Sequence, residues 1–142
     1  MNDVETMVEM LGGREREART LAVVGLSDDP AKASYGVSAY MQAQGYKILP
    51  VNPGIASALG EKSYASLTEL VSELPVKPDV VNVFRLPRYI PAIVDEMIAL
   101  GLTDLWVQMG IWSDEAAAKA ATAGIRVVMD RCIMVEHRRL MR

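Results

Sequence analysis

The sequence predicts a three-layer α/β fold around a five-stranded, mainly parallel sheet. Three observations carry that expectation. Short apolar runs recur at residues 21–24, 47–51, 79–84, 105–109 and 126–129. Their nearly unbroken apolar character suits strands buried on both faces. Segments of helical periodicity separate them, as the right-handed crossovers of a parallel sheet require. Finally, each run opens into turn-forming or polar residues: Gly25, Asn52-Pro53-Gly54, Arg85, Gly110 and Asp130.

Taken in order, residues 2–11 read as an amphipathic helix with Val4, Met7, Val8 and Leu11 in one stripe. Asn2 and Glu5 have the spacing of a capping box, and Gly12-Gly13 stops the helix. The mixed charges of 14–19 suit a solvated face, so 1–20 form a helix and charged lead-in. The first strand, 21–24, ends at Gly25, which can take a positive φ. A polar loop from Ser27 to Lys32 leads into a helix carrying Val37, Tyr40, Met41 and Gln44, with Ser34 placed to cap it. Gly45 closes that helix.

The second strand, 47–51, contains Pro50, which cannot donate to a ladder and belongs near a strand end or on an edge. Residues 61–65 suit a short extension along that edge. Ser66 then caps a helix with Glu69 three residues on, and Leu67, Leu70, Val71 and Leu74 facing inward. Pro75 and Pro78 end it before the third strand. A polar turn at 85–88 precedes the clearest helix, where Ile90, Ile93, Val94, Met97 and Ile98 follow i, i+3, i+4, i+7, i+8. After the fourth strand, 113–123 form an alanine-rich helix with Asp114 and Glu115 in the first turn, where the helix dipole favours acids. The fifth strand leads into a terminal helix within 130–142.

At 142 residues the chain is expected to form one domain spanning 1–142. Its net charge of −3 argues against nonspecific nucleic-acid binding, though a local basic pocket is compatible with it. No window approaches the roughly 20 apolar residues of a membrane span. The acids in MNDVETMVEM disfavour a secretion signal. A single cysteine excludes an internal disulfide, so a cytoplasmic location is expected. Both sheet edges are open to another subunit, and a homo-oligomer is compatible with the pattern.

In an open parallel sheet, ligands sit beyond the carboxyl ends of the strands, where strand order reverses. A loop that leaves a strand and opens a helix aims backbone N–H groups and a positive dipole end at one spot, which suits phosphate. The segment from Gly25 to Ser34 is such a loop. It lacks the second and third glycines of a G-x-G-x-x-G fingerprint, having Ser27 and Pro30 in that region. The second strand ends in Asn52 and Pro53, without the carboxylate that binds a ribose hydroxyl. A neutral residue there tolerates an added phosphate, and Lys32, Arg85 and Arg88 supply cations for one. The residues therefore suit a nucleotide richer in phosphate than NAD.

With those residues in view, the chain resembles the small stand-alone CoA-binding proteins of bacteria, the YccU-like family. Its domain also resembles the nucleotide-binding domain of the succinyl-CoA synthetase α subunit. The matching segments are GLSDDPAKASYGV (25–37), GYKILPVNP (45–53), VNVFR (81–85), LWVQMGI (105–111) and VVMDRCIMVEHRRL (127–140). The resemblance implies a Rossmann-like fold that binds coenzyme A. It places Gly25, Leu26 and Ser27 at the CoA diphosphate, with Lys32 and Ser34 binding phosphate and Val37 lining the underside of the loop. It also implies an adenosine-side turn at Asn52 and Pro53. Phe84 and Arg85 would flank adenine or pantetheine, and Gln108 and Gly110 would meet the pantetheine arm. The synthetase's phosphohistidine chemistry does not carry over, because the only histidine is His137, in the terminal helix.

Alternatives from the residues themselves are weaker. Cys132 and His137, five apart, do not share a helix face, and Glu136 would raise a thiol pKa rather than activate it. Cys132 is expected to be a buried structural thiol. Asp130-Arg131 suit an internal ion pair, and Arg85 has Asp79 and Asp104 as alternative partners. Gln108 could equally satisfy a neighbouring loop. One histidine and one cysteine cannot build a zinc site. The expected function is binding of CoA or a short acyl-CoA without autonomous catalysis. The rivals are an NAD-type dinucleotide module, an acyl-CoA-processing enzyme and a pure interaction protein.

Overall fold

A computed structural model describes residues 1–141. Its core is a five-stranded parallel sheet built from β1 (Thr20–Val24), β2 (Lys47–Val51), β5 (Val80–Val83), β6 (Asp104–Val107) and β7 (Arg126–Val128). The strand order is β2-β1-β5-β6-β7. The chain therefore steps outward from β1 to β2, returns to the other side of β1, and continues one way to β7. The reversal lies between β1 and β5, which is where such a sheet opens a crevice at its carboxyl edge.

Alternation along the strands feeds two cores. Ala22 and Val24 face one layer, formed by α3 (Leu67–Glu73), α4 (Ile90–Leu100) and α5 (Asp114–Thr122). Leu21 and Val23 face the other, formed by α1 (Val4–Leu11), α2 (Ala33–Ala43) and α6 (Ile133–Leu140). Period-two patterning with apolar residues on both sides is what a sheet covered on both faces demands. Among the described residues, no helix is long and apolar enough to cross a membrane.

The elements fall where the periodicity puts them, with differences at their ends. The cap of α1 is Asp3, whose carboxylate accepts from Thr6 N at 2.8 Å. Asn2 is not a cap. Its side-chain amide donates to Met129 O (2.6 Å) and accepts from Met129 N (2.9 Å). It thus covers the open edge just beyond β7 as a neighbouring strand would, one way to blunt an edge. Met7, Met10 and Leu11 are the buried stripe of α1, and Val4 is exposed. Ser34 does not cap α2. The N-cap is Lys32, with no side-chain hydrogen bond, and Ser34 lies in the first turn, buried.

Pro50 sits on the outer strand β2 with its carbonyl turned away from β1, accepting from Tyr64 N (3.0 Å), so its missing donor is not one that β1 requires. Residues 61–65 extend the edge only at Tyr64, which bridges Val51 in parallel. The rest forms a small hairpin of β3 (Ser57–Ala58) with β4 (Glu61–Lys62). The turn after β5 closes as one 3₁₀ turn, Pro87–Tyr89. The expected Asp130–Arg131 ion pair is not formed. Asp130 accepts from Gly110 N (2.7 Å), and Arg131 donates to the Asp130 carbonyl (2.7 Å). Helix α6 begins only at Ile133, because Asp130 has a positive φ of 58° and cannot continue a right-handed helix.

His137 of α6 is wedged between aromatic rings. Its Nδ1 lies 2.9 Å from the Tyr40 hydroxyl, and the rings of Tyr40 and Tyr46 meet it edge-on, both at 5.5 Å. Arg138 stands over the Tyr40 ring, 4.8 Å from its centroid. Burial holds the imidazole pKa below its ordinary 6.5. A base whose folded pKa is depressed destabilises the fold once the unfolded chain begins to take up its proton. Stability is therefore expected to fall as pH drops through 6.5, and to level off below the folded-state pKa. Urea melts across pH 5–7.5 measure this, and His137→Gln should flatten that step, since no other histidine titrates there.

Candidate functional site

The reversal point is fixed by main-chain bonds across three strands. Gly25 N donates to Val51 O of β2, and Phe84 N donates to Val24 O of β1, each at 2.9 Å. Gly25 takes a φ of +88°, and a Cβ on it would lie 2.8 Å from the Phe84 carbonyl oxygen. Only glycine lets the chain leave β1 here and pass so close to β5.

Beyond Gly25 the loop is tied internally. Ser27 N donates to Ser34 Oγ (3.0 Å), Asp29 N to Ser27 Oγ (3.0 Å), and Ala31 N to Asp29 Oδ1 (2.9 Å). Leu26 and Val37 are buried in the core beneath the loop and support it. The Ser34 hydroxyl accepts from Ser27 N and so holds the loop's shape from below. Lys32 stays exposed on top. Because α2 has no side-chain cap, its amino end retains its partial positive charge and its unfilled donors at the carboxyl edge of the sheet.

The second wall is the turn after β2. Asn52 Nδ2 donates to Leu26 O (2.9 Å), and Asn52 Oδ1 accepts from Gly54 N (2.8 Å). One side chain therefore fixes both the loop after β1 and the turn carrying Pro53, which is exposed. The third wall follows β5. Phe84 is half-buried against the α2 layer. Neither Asp79 nor Asp104 pairs with Arg85. Asp79 accepts from Thr20 N (2.8 Å), and Asp104 is held by Arg126 at 2.8 and 2.7 Å. The Arg85 guanidinium instead lies 4.1 Å over the Tyr89 ring.

Tyr89 was not among the residues that sequence patterning singled out. It gathers two cations: Arg88 also stands 4.9 Å from its centroid and donates to its hydroxyl at 3.2 Å. That bond, with the charges of Arg88 and Arg85, holds the Tyr89 phenol below its ordinary pKa. The available signal was R-x-x-R-Y with Pro87 inside, which folds both arginines back onto the ring in one 3₁₀ turn. Among the described residues neither arginine has a carboxylate partner. A cavity of about 220 Å³ opens beside them, lined by Val51, Pro53, Ser66, Arg85, Tyr89 and Glu96. A larger one, about 290 Å³, lies at the β7 edge, where Arg126 is the one charged side chain among the described residues that line it.

The last two strand ends are less polar at their surface. Gln108 is buried, and its Oε1 accepts from Ile133 N (3.1 Å), so its side chain serves the start of α6. Gly110 is exposed, with a φ of +84° and its N–H on Asp130. Cys132 is a buried free thiol at the N-cap of α6, as expected. Trp106 is fully buried and donates to Arg131 O (2.9 Å), whereas Trp112 is exposed at the rim. Among the described residues no group of His, Cys, Asp and Glu is arranged to hold a metal ion.

Comparison with known proteins shows the family and the fold. An uncharacterized Bacillus subtilis protein, YneT, is 40% identical over 122 residues, 86% of this chain and 87% of that one. A Thermus thermophilus structure matches at a TM-score of 0.84 and 38% identity, covering 97% of this chain and 98% of that one. A hypothetical protein of Pyrococcus horikoshii matches at 0.86 and 34%, covering 99% and 93%. The family model described as the CoA binding domain spans residues 19–138, and the chain belongs to that family.

Proposed function

We propose that this protein binds coenzyme A or an acyl-CoA at the β1/β5 reversal point, as a binding module without catalysis of its own. One observation carries the reading. The uncapped amino end of α2, the Gly25 crevice and two carboxylate-free arginines meet on one edge of the sheet. The diphosphate lies on the loop from Gly25 to Lys32, against the α2 amino end and the Lys32 ammonium. The adenosine occupies the cavity over Pro53, with Arg85 and Arg88 meeting its 3′-phosphate. The pantetheine arm then runs along the ends of β5 and β6 past Phe84 and Gly110.

Coenzyme A fits better than NAD because Asn52, which replaces the ribose-binding carboxylate, repels no phosphate. The absence of catalysis is supported by the chemistry at the edge. The one thiol is buried, and the one histidine sits in an aromatic cluster on α6.

Calorimetric titration with CoA, 3′-dephospho-CoA and NAD tests the assignment. CoA should bind most tightly, with a clear loss for the dephospho form. Lys32→Ala should weaken CoA by about 1–3 kcal/mol, the scale of a hydrogen bond to a charged group. An unchanged affinity removes Lys32 from the site, and a preference for NAD overturns the ligand. Incubation with several acyl-CoAs, followed for thiol release, tests the absence of turnover.

A further inference from the structure

Large apolar side chains are exposed at several places, and three of them lie in the loops that follow the paired strands β5 and β6. Leu86 is 55% exposed in the turn after β5; Met109 and Trp112 are 68% and 45% exposed in the loop after the adjacent β6. Neighbouring strands stand about 5 Å apart, so these loops share one stretch of the carboxyl edge. That stretch begins where the β1/β5 crevice ends.

The loop after β6 is held in place. Ile111 N donates to Gln108 O (3.2 Å), Gly110 N to Asp130 Oδ1 (2.7 Å), and Trp112 Nε1 to Asp114 Oδ1 (2.8 Å). The indole thus has its polar atom satisfied and its ring exposed. Leaving Met, Leu and Trp in water forgoes burial that the core offers elsewhere, and exposed apolar clusters of this kind mark binding surfaces.

We infer that Leu86, Met109 and Trp112 form a platform for the acyl chain of an acyl-CoA, so that the favoured ligand is a thioester with an apolar chain of several carbons. This rests on the CoA reading above, which brings the thiol end of the ligand to this part of the edge. The occupant follows from continuity. A ligand whose diphosphate sits at β1 and whose arm crosses β5 delivers its terminal group beside β6. Met adapts to chains of different length, and an indole face offers a broad apolar contact. No charged side chain is needed there, because the chain to be bound has no charge.

The test compares CoA, acetyl-CoA and octanoyl-CoA by titration against the wild type and the Met109→Ser/Trp112→Ala double variant. Each shielded methylene contributes roughly fourfold in affinity. Octanoyl-CoA should therefore bind the wild type at least tenfold more tightly than CoA. Acetyl-CoA should lie near CoA. In the double variant the octanoyl-to-CoA ratio should fall towards one, whatever the absolute affinities. CoA binding with no octanoyl gain, or with a gain that survives in the variant, overturns the platform alone. Absence of binding by all three ligands overturns the CoA reading and the platform with it.

Discussion

Replacing Gly25 by alanine is expected to destabilise the fold by about 2–4 kcal/mol, combining left-handed backbone strain with overpacking. The strain comes from φ = +88°, and the overpacking from a Cβ 2.8 Å from Phe84 O and 3.2 Å from Phe84 C. The Arg85 side chain, 3.0 Å away, can swing aside. The Phe84 main chain cannot, because its N–H is bonded to Val24 O, and Gly25 itself is bonded to Val51. Relief therefore means prying β5 from β1, which opens the crevice where the diphosphate is proposed to lie. Binding should fall with stability, by roughly tenfold or more.

Gly110→Ala provides the comparison. Its φ is nearly the same, +84°, but a Cβ there meets nothing within 4 Å. It should cost only the backbone strain, about 1–2 kcal/mol. Denaturant unfolding of the two variants separates the terms. Equal losses would mean that the β1/β5 junction yields easily and that Gly25 is needed for its dihedral alone.

These two glycines also show what a sequence exposes and what it hides. Both were legible as strand-ending turns, since each follows an apolar run. The close approach at Gly25 was not legible, because it depends on Phe84, fifty-nine positions later and on the other side of β1. Local patterning likewise revealed five strands and their order in the chain, and the nearly unbroken apolar runs pointed to burial on both faces.

Side-chain destinations were less accessible. Asn2 has the sequence of a cap but reaches Met129, because an open strand edge competes for its amide more effectively than a helix that Asp3 already caps. Ser34 turns under its loop for a similar reason: a buried hydroxyl needs a partner, and Ser27 N is there. Tyr89 looked like the start of α4. Only the 3₁₀ turn at Pro87–Tyr89 makes it the rack on which Arg85 and Arg88 rest.

That rack leads to the second large effect. Converting both arginines to glutamate, Arg85→Glu/Arg88→Glu, should weaken CoA about 100-fold, equivalent to about 2.7 kcal/mol at 1.36 kcal/mol per decade. Dephospho-CoA should lose much less. Two guanidinium groups on one ring repel each other, and Tyr89 spreads its π face and hydroxyl between them without cancelling either charge. A phosphate dianion would relieve that repulsion and accept charge-assisted hydrogen bonds from both. Reversing the charges removes those bonds and puts like charges beside the phosphate. The loss should shrink as salt is raised, because these groups lie near the surface. If CoA and dephospho-CoA weaken equally, the arginines act on the diphosphate and not on the 3′-phosphate. If neither weakens, the adenosine end lies elsewhere and the cavity over Pro53 is not its site. Tyr89→Leu separates position from charge: with both cations retained but their ring removed, discrimination between the two ligands should fall while salt dependence persists.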